Sequence, residues 1–451
     1  MNKVALRANV VMLIVLILLG GFVFFLAEYL LKANEWVVFA GSPHVYNGGN
    51  IGTGVVTDRE GILLLDVNEG RTYSNSKDIR KSTVHWLGDR KGSVNAPALA
   101  TYSAEMTGYD LISGVYTYGE DGGVARLTLS ATVQETALKA LGKKKGTVGV
   151  YNYKTGEIIC AVSTPTFDPD DVPEVTEELE GMYLNRFTQS VYIPGSIFKI
   201  VTLAAALETM PQIQQETFSC NGTYKIGGDK ITCEYSHGTQ SLKEAFRNSC
   251  NCAFAQIAQK LGGEALQKYA DQFGVAGSVS FDGITTASGN FEAAGAEEVN
   301  VAWSGIGQYT DQVNACTFMT FMGAIARGGR GTTPYLVDGI RAGSSGTYTA
   351  KTQNRDRIMS ETTAQILREY LQFNVKDKYG AKNFKGLTVG AKTGTGEVGG
   401  GKKPNAVLAG FVEDEQYPLA FIVMVEDGGY GADVCIPIAS KVLEACKGVL
   451  G

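Results

Sequence analysis

Residues 192–208 read Tyr-Ile-Pro-Gly-Ser-Ile-Phe-Lys-Ile-Val-Thr-Leu-Ala-Ala-Ala-Leu-Glu. Pro194-Gly195 is a turn signal, and the run from Ile197 to Glu208 is long, apolar and rich in helix formers, so Ser196 is expected to open a buried helix. Lys199 then falls one turn on, on the same face, with Cβ atoms about 5–6 Å apart, close enough for its amine to reach the serine hydroxyl. The start of a helix also favours negative charge where an oxyanion would develop. A nucleophilic serine needs a base. The chain has three histidines, His44, His85 and His237, but no Gly-x-Ser-x-Gly elbow surrounds Ser196, which leaves the lysine. A neutral amine at pH 7 requires its pKa to fall by about three units, roughly 4 kcal/mol, and both burial and a second cation act in that direction.

Two further motifs follow in order. Ser249-Cys250-Asn251 lies between helical patterns at 241–248 and 252–261, whose apolar residues recur at i, i+3 and i+4. A hydroxyl and an amide on such a connection can point into a cleft. Ser249 is a candidate proton relay and Asn251 a candidate for orienting an amide bond; a plain Ser/Asn cap is the structural alternative. Lys392-Thr393-Gly394-Thr395 ends a strand-like run at 387–391 and precedes a glycine-rich loop and two apolar strands at 406–412 and 419–425. Lys392 is the candidate second cation. With Thr393 and Thr395 it could meet a carboxylate, while Gly394 lets the backbone come close.

Spelling alone decides none of this, because the chain carries decoys. Ser74-Asn75-Ser76-Lys77 sits among charged residues and reads as a solvated loop without a helix. Ser219-Cys220-Asn221 and Ser288-Gly289-Asn290 read as loops, and Lys154-Thr155-Gly156 reads as a hairpin tip between strands at 147–151 and 157–162.

Residues 8–27 are almost wholly apolar, with Lys3 and Arg7 before them and Glu28 and Lys32 after. About 20 residues at 1.5 Å each span a hydrocarbon core of about 30 Å. The flanking charges predict a cytoplasmic tail (1–7), an uncleaved anchor (8–31) and an extracytoplasmic remainder. A net charge of -6 argues against nucleic acid as a partner. Eight cysteines in an extracytoplasmic chain permit disulfides. Cys220 and Cys233 flank a short segment that could be a bridged hairpin; free buried thiols are the default for most of the eight. Cys250 and Cys252 resemble zinc spacing only superficially, because no second cysteine or histidine pair follows them, and no metal or cofactor is expected.

The ordered set of motifs resembles that of class B penicillin-binding proteins, membrane-anchored D,D-transpeptidases of the cell wall. The resemblance extends to Asn185-Arg186, Thr155-Gly156-Glu157-Ile158, Ser163 to Pro169, Gly305-Ile306-Gly307-Gln308, and upstream to Asp58-Arg59-Glu60-Gly61 and His85-Trp86-Leu87-Gly88. It implies a mixed α/β (α+β) transpeptidase fold of the serine β-lactamase/D,D-peptidase kind, an antiparallel five-stranded sheet flanked by helices. A smaller β-rich pedestal at 33–135 would precede a catalytic domain at 136–451.

By the same resemblance, Ser196 would be acylated by a stem peptide ending in D-Ala-D-Ala or by a β-lactam, with Lys199 taking its proton. Ser249 and Asn251 would bridge and position, while Lys392, Thr393, Gly394 and Thr395 would hold the substrate end. The backbone amides of Ser196 and Thr395 would form the oxyanion hole. Implied partners are peptidoglycan stem peptides, β-lactams, the membrane, a separate polytopic SEDS-family glycan polymerase and other cell-wall synthesis proteins. The rival activities are D,D-carboxypeptidase or β-lactamase on the same fold, and a membrane β-lactam sensor. Ile197 in place of threonine, Gly396 in place of alanine and the lack of tryptophan at 405–411 depart from the family pattern.

Overall fold

The computed structural model describes residues 2–37, 46–47, 50–68, 70–107, 109–110, 115–116, 122–342 and 345–451. His44 and most of the turn-rich stretch at 109–123 lie outside the described residues.

Helix α1 (Asn2–Val37) contains a span, Lys3–Lys32, long and apolar enough to cross a membrane, and its large apolar side chains from Val4 to Leu31 are exposed. A helix apolar on every side needs an apolar environment that the rest of this chain does not provide.

The centre of the molecule is an antiparallel five-stranded sheet. Its strands are β1 (Gly146–Asn152), β2 (Ile158–Thr164), β3 (Val389–Gly396), β4 (Asn405–Val412) and β5 (Leu419–Val425), in spatial order β2-β1-β5-β4-β3. Lys154-Thr155-Gly156 is the tight turn between β1 and β2, closed by the Gly156 N–H donating to the Asn152 carbonyl. Every residue of β4 and β5 is buried, because helices cover both faces. Among the helices are α2 (Ala131–Leu141), α3 (Lys199–Thr209), α4 (Leu242–Asn248), α5 (Asn251–Leu261), α6 (Ala315–Ala326), α7 (Glu361–Asn374) and α8 (Gly431–Leu450). On one face α2 and α8 pack with Val148, Val150, Leu408 and Val423 into one apolar cluster. The other face, with Tyr151, Val407, Ala409 and Ile422, joins the larger cluster that contains α3, α5 and α6.

A six-stranded sheet lies upstream, in the order 345–349, 337–342, 124–127, 55–57, 63–66 and 72–73. Two of its strands, 337–342 and 345–349, come from the last third of the chain and complete the sheet of the N-terminal part. A helix at Lys77–Leu87 ties this part to the central sheet. Arg80 makes a two-pronged pair with Asp168 at 2.7 Å on each prong, and the Trp86 indole donates to the Ala161 carbonyl at 2.7 Å. Ser76 caps that helix, so the decoy at 74–77 opens a helix after all and Ser74 is buried. The charged residues that suggested a solvated loop instead make partners such as the Arg80–Asp168 pair.

Candidate active site

The nucleophile turn differs slightly from expectation. Gly195–Ile197 forms a 3₁₀ turn that runs into α3, which begins at Lys199. The tighter turn eclipses i and i+3, and Lys199 Nζ lies 2.8 Å from Ser196 Oγ. Gly195 adopts φ +54°, a conformation that favours glycine, and its N–H donates to the Gly307 carbonyl at 2.9 Å.

The lysine is fully buried while Ser196 keeps partial access to solvent. Besides Ser196, the Lys199 amine meets the Ser249 carbonyl at 2.8 Å, Asn251 Oδ1 at 2.6 Å and Ser249 Oγ at 3.2 Å. Asn251 Nδ2 donates to the Thr232 carbonyl at 2.8 Å, which turns the amide oxygen toward the lysine. The two best-placed acceptors can therefore take both hydrogens of a neutral amine, leaving its lone pair for the Ser196 hydroxyl. Burial brings Lys199 down to about 7; Lys378 adds to the fall, while the thiols of Cys233, Cys250 and Cys252 oppose it.

Ser249 ends α4 in a left-handed conformation, φ 56°, and Asn251 is the first residue of α5. The turn between them gives Ser249 Oγ to both lysines, since Lys392 Nζ lies 2.9 Å from it. Lys392 is fully buried on β3 and is held well below its ordinary range by burial, by Lys199 and by Lys378. Beneath the amines, Phe254 lies 5.9 Å from Lys199 and Phe246 6.0 Å from Lys392, ring centre to nitrogen, forming the dry wall of the pocket.

The Lys-Thr-Gly-Thr residues lie within β3, on the edge of the sheet. A Cβ on Gly394 would stand 2.6 Å from the Pro194 carbonyl, and one on Gly195 would stand 2.3 Å from the Thr395 carbonyl. These contacts bring the backbones of 195–196 and 395 together. Gly396 belongs to the same seam, with its virtual Cβ 2.3 Å from the Ile193 carbonyl. This close approach accounts for glycine at 396. Gly394→Ala must push the nucleophile turn off β3, a strain of about 1–3 kcal/mol. The acylation rate with benzylpenicillin, followed by intact mass, is expected to fall roughly tenfold or more; an unchanged rate would show that the approach is not required.

The structure thus brings Ser196, Lys199, Ser249, Asn251, Lys392, Thr393, Gly394 and Thr395 to one cleft. Two cleft residues escaped the sequence reading. Tyr379 OH is 3.0 Å from Thr393 Oγ1 and accepts from the Thr393 N–H at 3.1 Å. Lys378 bears on the amines of Lys199 and Lys392 by its charge. Both sit in a π-helical turn at 375–379 whose sequence carries no motif. Among the described residues neither remaining histidine bonds Ser196: His85 is buried against the Met182 carbonyl at 2.8 Å and held down to about 4 by that burial, and His237 lies on a ribbon next to Cys220.

Residues 146–444 match the family model described as penicillin binding protein transpeptidase domain. The chain belongs to that family. Among characterised relatives it is 30% identical over 422 residues to stage V sporulation protein D of Bacillus subtilis, covering 87% of this chain and 61% of that protein. It is 28% identical to the peptidoglycan D,D-transpeptidase PbpA of Mycolicibacterium smegmatis over 72% of each chain. Among solved structures, the ceftriaxone acyl-enzyme of penicillin-binding protein A from M. tuberculosis superposes with a TM-score of 0.75 at 25% identity, covering 87% of this chain and 98% of the other. The D,D-transpeptidase domain of a peptidoglycan glycosyltransferase from Eggerthella lenta gives 0.76 at 25% identity, over 88% and 99%. The five-stranded antiparallel sheet between helices is the transpeptidase fold expected from the motifs.

Proposed function

We propose that this chain is a serine D,D-transpeptidase that cross-links peptidoglycan stem peptides and is acylated by β-lactams at Ser196. The observation that carries the proposal is the shared geometry of two buried lysines around two serines, 2.8 Å from Lys199 to Ser196 and 2.9 Å from Lys392 to Ser249. The family membership and the relatives named peptidoglycan D,D-transpeptidases support it.

In the first half-reaction Ser196 Oγ attacks the carbonyl of the penultimate D-Ala while its proton passes to Lys199 Nζ. The tetrahedral oxyanion is met by the N–H groups of Ser196 and Thr395. The carbon–nitrogen bond then breaks, and the departing D-Ala amine takes a proton through Ser249, which Lys199 and Lys392 resupply. An acceptor amine attacks the ester in the second half-reaction, losing its proton by the same route in reverse. Lys392, Thr393 and Thr395 hold the terminal carboxylate, whose charge favours a protonated Lys392 when substrate is bound. With a β-lactam, the broken ring amide leaves its nitrogen tethered to the acyl group, where it obstructs the acceptor.

The remaining assignments belong to the same proposal. Helix α1 anchors the chain with residues 1–7 in the cytoplasm and the rest outside. Residues 33–135, whose sheet also takes in the strands at 337–342 and 345–349, form a pedestal for a catalytic domain at 136–451, and a SEDS-family polymerase supplies the glycan strands.

The test is intact-mass spectrometry of the detergent-solubilised chain after exposure to benzylpenicillin, for wild type and Ser196→Ala. One stable adduct that maps to Ser196 and vanishes in the variant is the expected result. An intact antibiotic without adduct would overturn the proposal, and hydrolysed antibiotic without adduct would make the protein a β-lactamase.

A further inference from the structure

Four side chains with no part in that chemistry converge behind the Ser249-Cys250-Asn251 turn. The ligand atoms of Cys220, Cys233, His237 and Cys250 all lie within 4.8 Å of one another. They arrive from separate elements of a ribbon packed against α5. Cys220 ends the strand Thr217–Cys220, Cys233 follows the strand Asp229–Thr232, His237 precedes the strand Gly238–Ser241, and Cys250 is the N-cap of α5. Cys220 and Cys250 are buried, and Cys233 and His237 are half-buried.

Their spacing distinguishes between the bonds such a group can make. Cys233 Sγ is 3.7 Å from Cys250 Sγ, and Cys220 Sγ is 3.4 Å from His237 Nδ1. A tetrahedral zinc ion with zinc–sulfur bonds of about 2.3 Å and zinc–nitrogen bonds of about 2.0–2.1 Å sets edges of roughly 3.8 Å between sulfurs and roughly 3.5 Å between sulfur and nitrogen. The bridge that the sequence left open between Cys220 and Cys233 is not formed, and all eight cysteines are free. The two thiols instead face His237 and Cys250. Thiol–thiol hydrogen bonds are too weak to explain why three thiols and an imidazole gather in one place.

The surroundings suit thiolates. Cys233 Sγ accepts from the Cys252 N–H and Cys250 Sγ accepts from the Ala253 N–H, each at 3.4 Å. Such bonds orient and stabilise metal-bound sulfur. Cys252 Sγ is 3.5 Å from Cys233 Sγ but falls outside the four-atom set, with the Ile231 carbonyl as its acceptor at 3.9 Å.

We infer that Cys220, Cys233, His237 and Cys250 bind one zinc ion, which clamps the Ser249–Asn251 turn in its working position. Three thiolates and an imidazole are a soft donor set that selects zinc over magnesium, calcium or manganese. Four protein ligands close the coordination sphere, so the ion holds structure and does no hydrolysis. Its position gives it leverage on the cleft. Cys250 is bonded directly to Ser249 and Asn251, and Cys233 follows Thr232, whose carbonyl orients the Asn251 amide. The ion therefore joins both supports of Asn251 and backs a left-handed Ser249 that the chain alone holds at a cost.

The test uses the full chain in detergent, and its first readout is independent of any cross-linking activity. Protein exposed to zinc and then freed of excess ion should retain about one zinc per chain by elemental mass spectrometry. Cobalt in its place should show tetrahedral d–d bands and sulfur-to-cobalt charge transfer. His237→Cys should keep the metal, and His237→Ala should bind it at least about tenfold more weakly. Removing zinc with a chelator should slow benzylpenicillin acylation of Ser196 about tenfold or more, with recovery on adding zinc but not magnesium. A wild-type chain that retains no zinc with its thiols reduced, a cobalt spectrum without thiolate bands, or a native disulfide among the three cysteines would overturn the site. Bound zinc whose removal leaves acylation unchanged would overturn the clamp.

Discussion

Lys199→Met lowers the rate of Ser196 acylation by benzylpenicillin by about 10³-fold, within the 10²–10⁴ typical of a positioned general base. Methionine is similar in length and suits the apolar wall around Phe254, so the side chain stays packed while the lone pair is lost, together with the hydrogen bonds to the Ser249 carbonyl and Asn251 Oδ1. Stability separates this loss from unfolding. Lys199 holds its proton with a pKa of about 7 in the folded chain and near 10.4 when unfolded. Between those values the unfolded chain binds more protons, so the lysine's contribution to stability rises with pH; below about 7 the full penalty for burying an ammonium applies. The variant is free of that penalty. Its Tm is expected to exceed that of wild type at pH 6, with the margin shrinking toward pH 10. A variant that acylates at the wild-type rate would remove Lys199 as the base, and a lower Tm at pH 6 would show that the amine is needed for packing.

The second large effect is that of pH on wild-type acylation. The active form has a neutral Lys199, whose share falls tenfold per unit below a pKa of about 7. The acylation rate constant should therefore rise with pH and level off above 7, with about a hundredfold difference between pH 5 and pH 8. The groups that tune this midpoint surround the amine: the charge of Lys378 lowers it, and negative charge on the cysteine sulfurs near Ser249 raises it. Lys392 shares Ser249 Oγ with Lys199, and two ammonium groups there would repel, so the pair is best served by a single proton. The profile is measured by intact mass at short times across pH 5–8.5. A flat limb through 7 would mean that another group takes the serine proton.

Much of this protein is legible in order along the chain. Local signals placed the turn at Pro194-Gly195 and β5 from Leu419 to Val425. They also placed Lys154-Thr155-Gly156 in a hairpin tip and set it apart from Lys392-Thr393-Gly394, because apolar runs on both sides of a short turn specify a hairpin without help from elsewhere. The nature of the Ser196 segment followed from composition too, since a polar motif set in an apolar helix is seldom there for solubility. Where local signals were weakest, the reading missed. The π-helical turn that delivers Lys378 and Tyr379 has no periodicity to announce it, and Ser74–Lys77 reads as an open loop because the charges around it find their partners only in distant parts of the fold.

What the sequence determined by itself is the list of reactive groups and the elements that carry them, because helix, strand and turn preferences depend on near neighbours. What only the tertiary structure decided is which groups meet. Lys392 reaches Ser249 across 143 residues because β3 forms the edge of the sheet. Its glycines allow the Ser196 turn to dock on that edge. The cysteines followed the same rule. Cys250 looked unpartnered because no ligand pair follows it, yet its companions lie upstream on a folded ribbon. Such proximity depends on how chain segments pack, and packing energy accrues between residues whose distance along the chain carries no information about their distance in space.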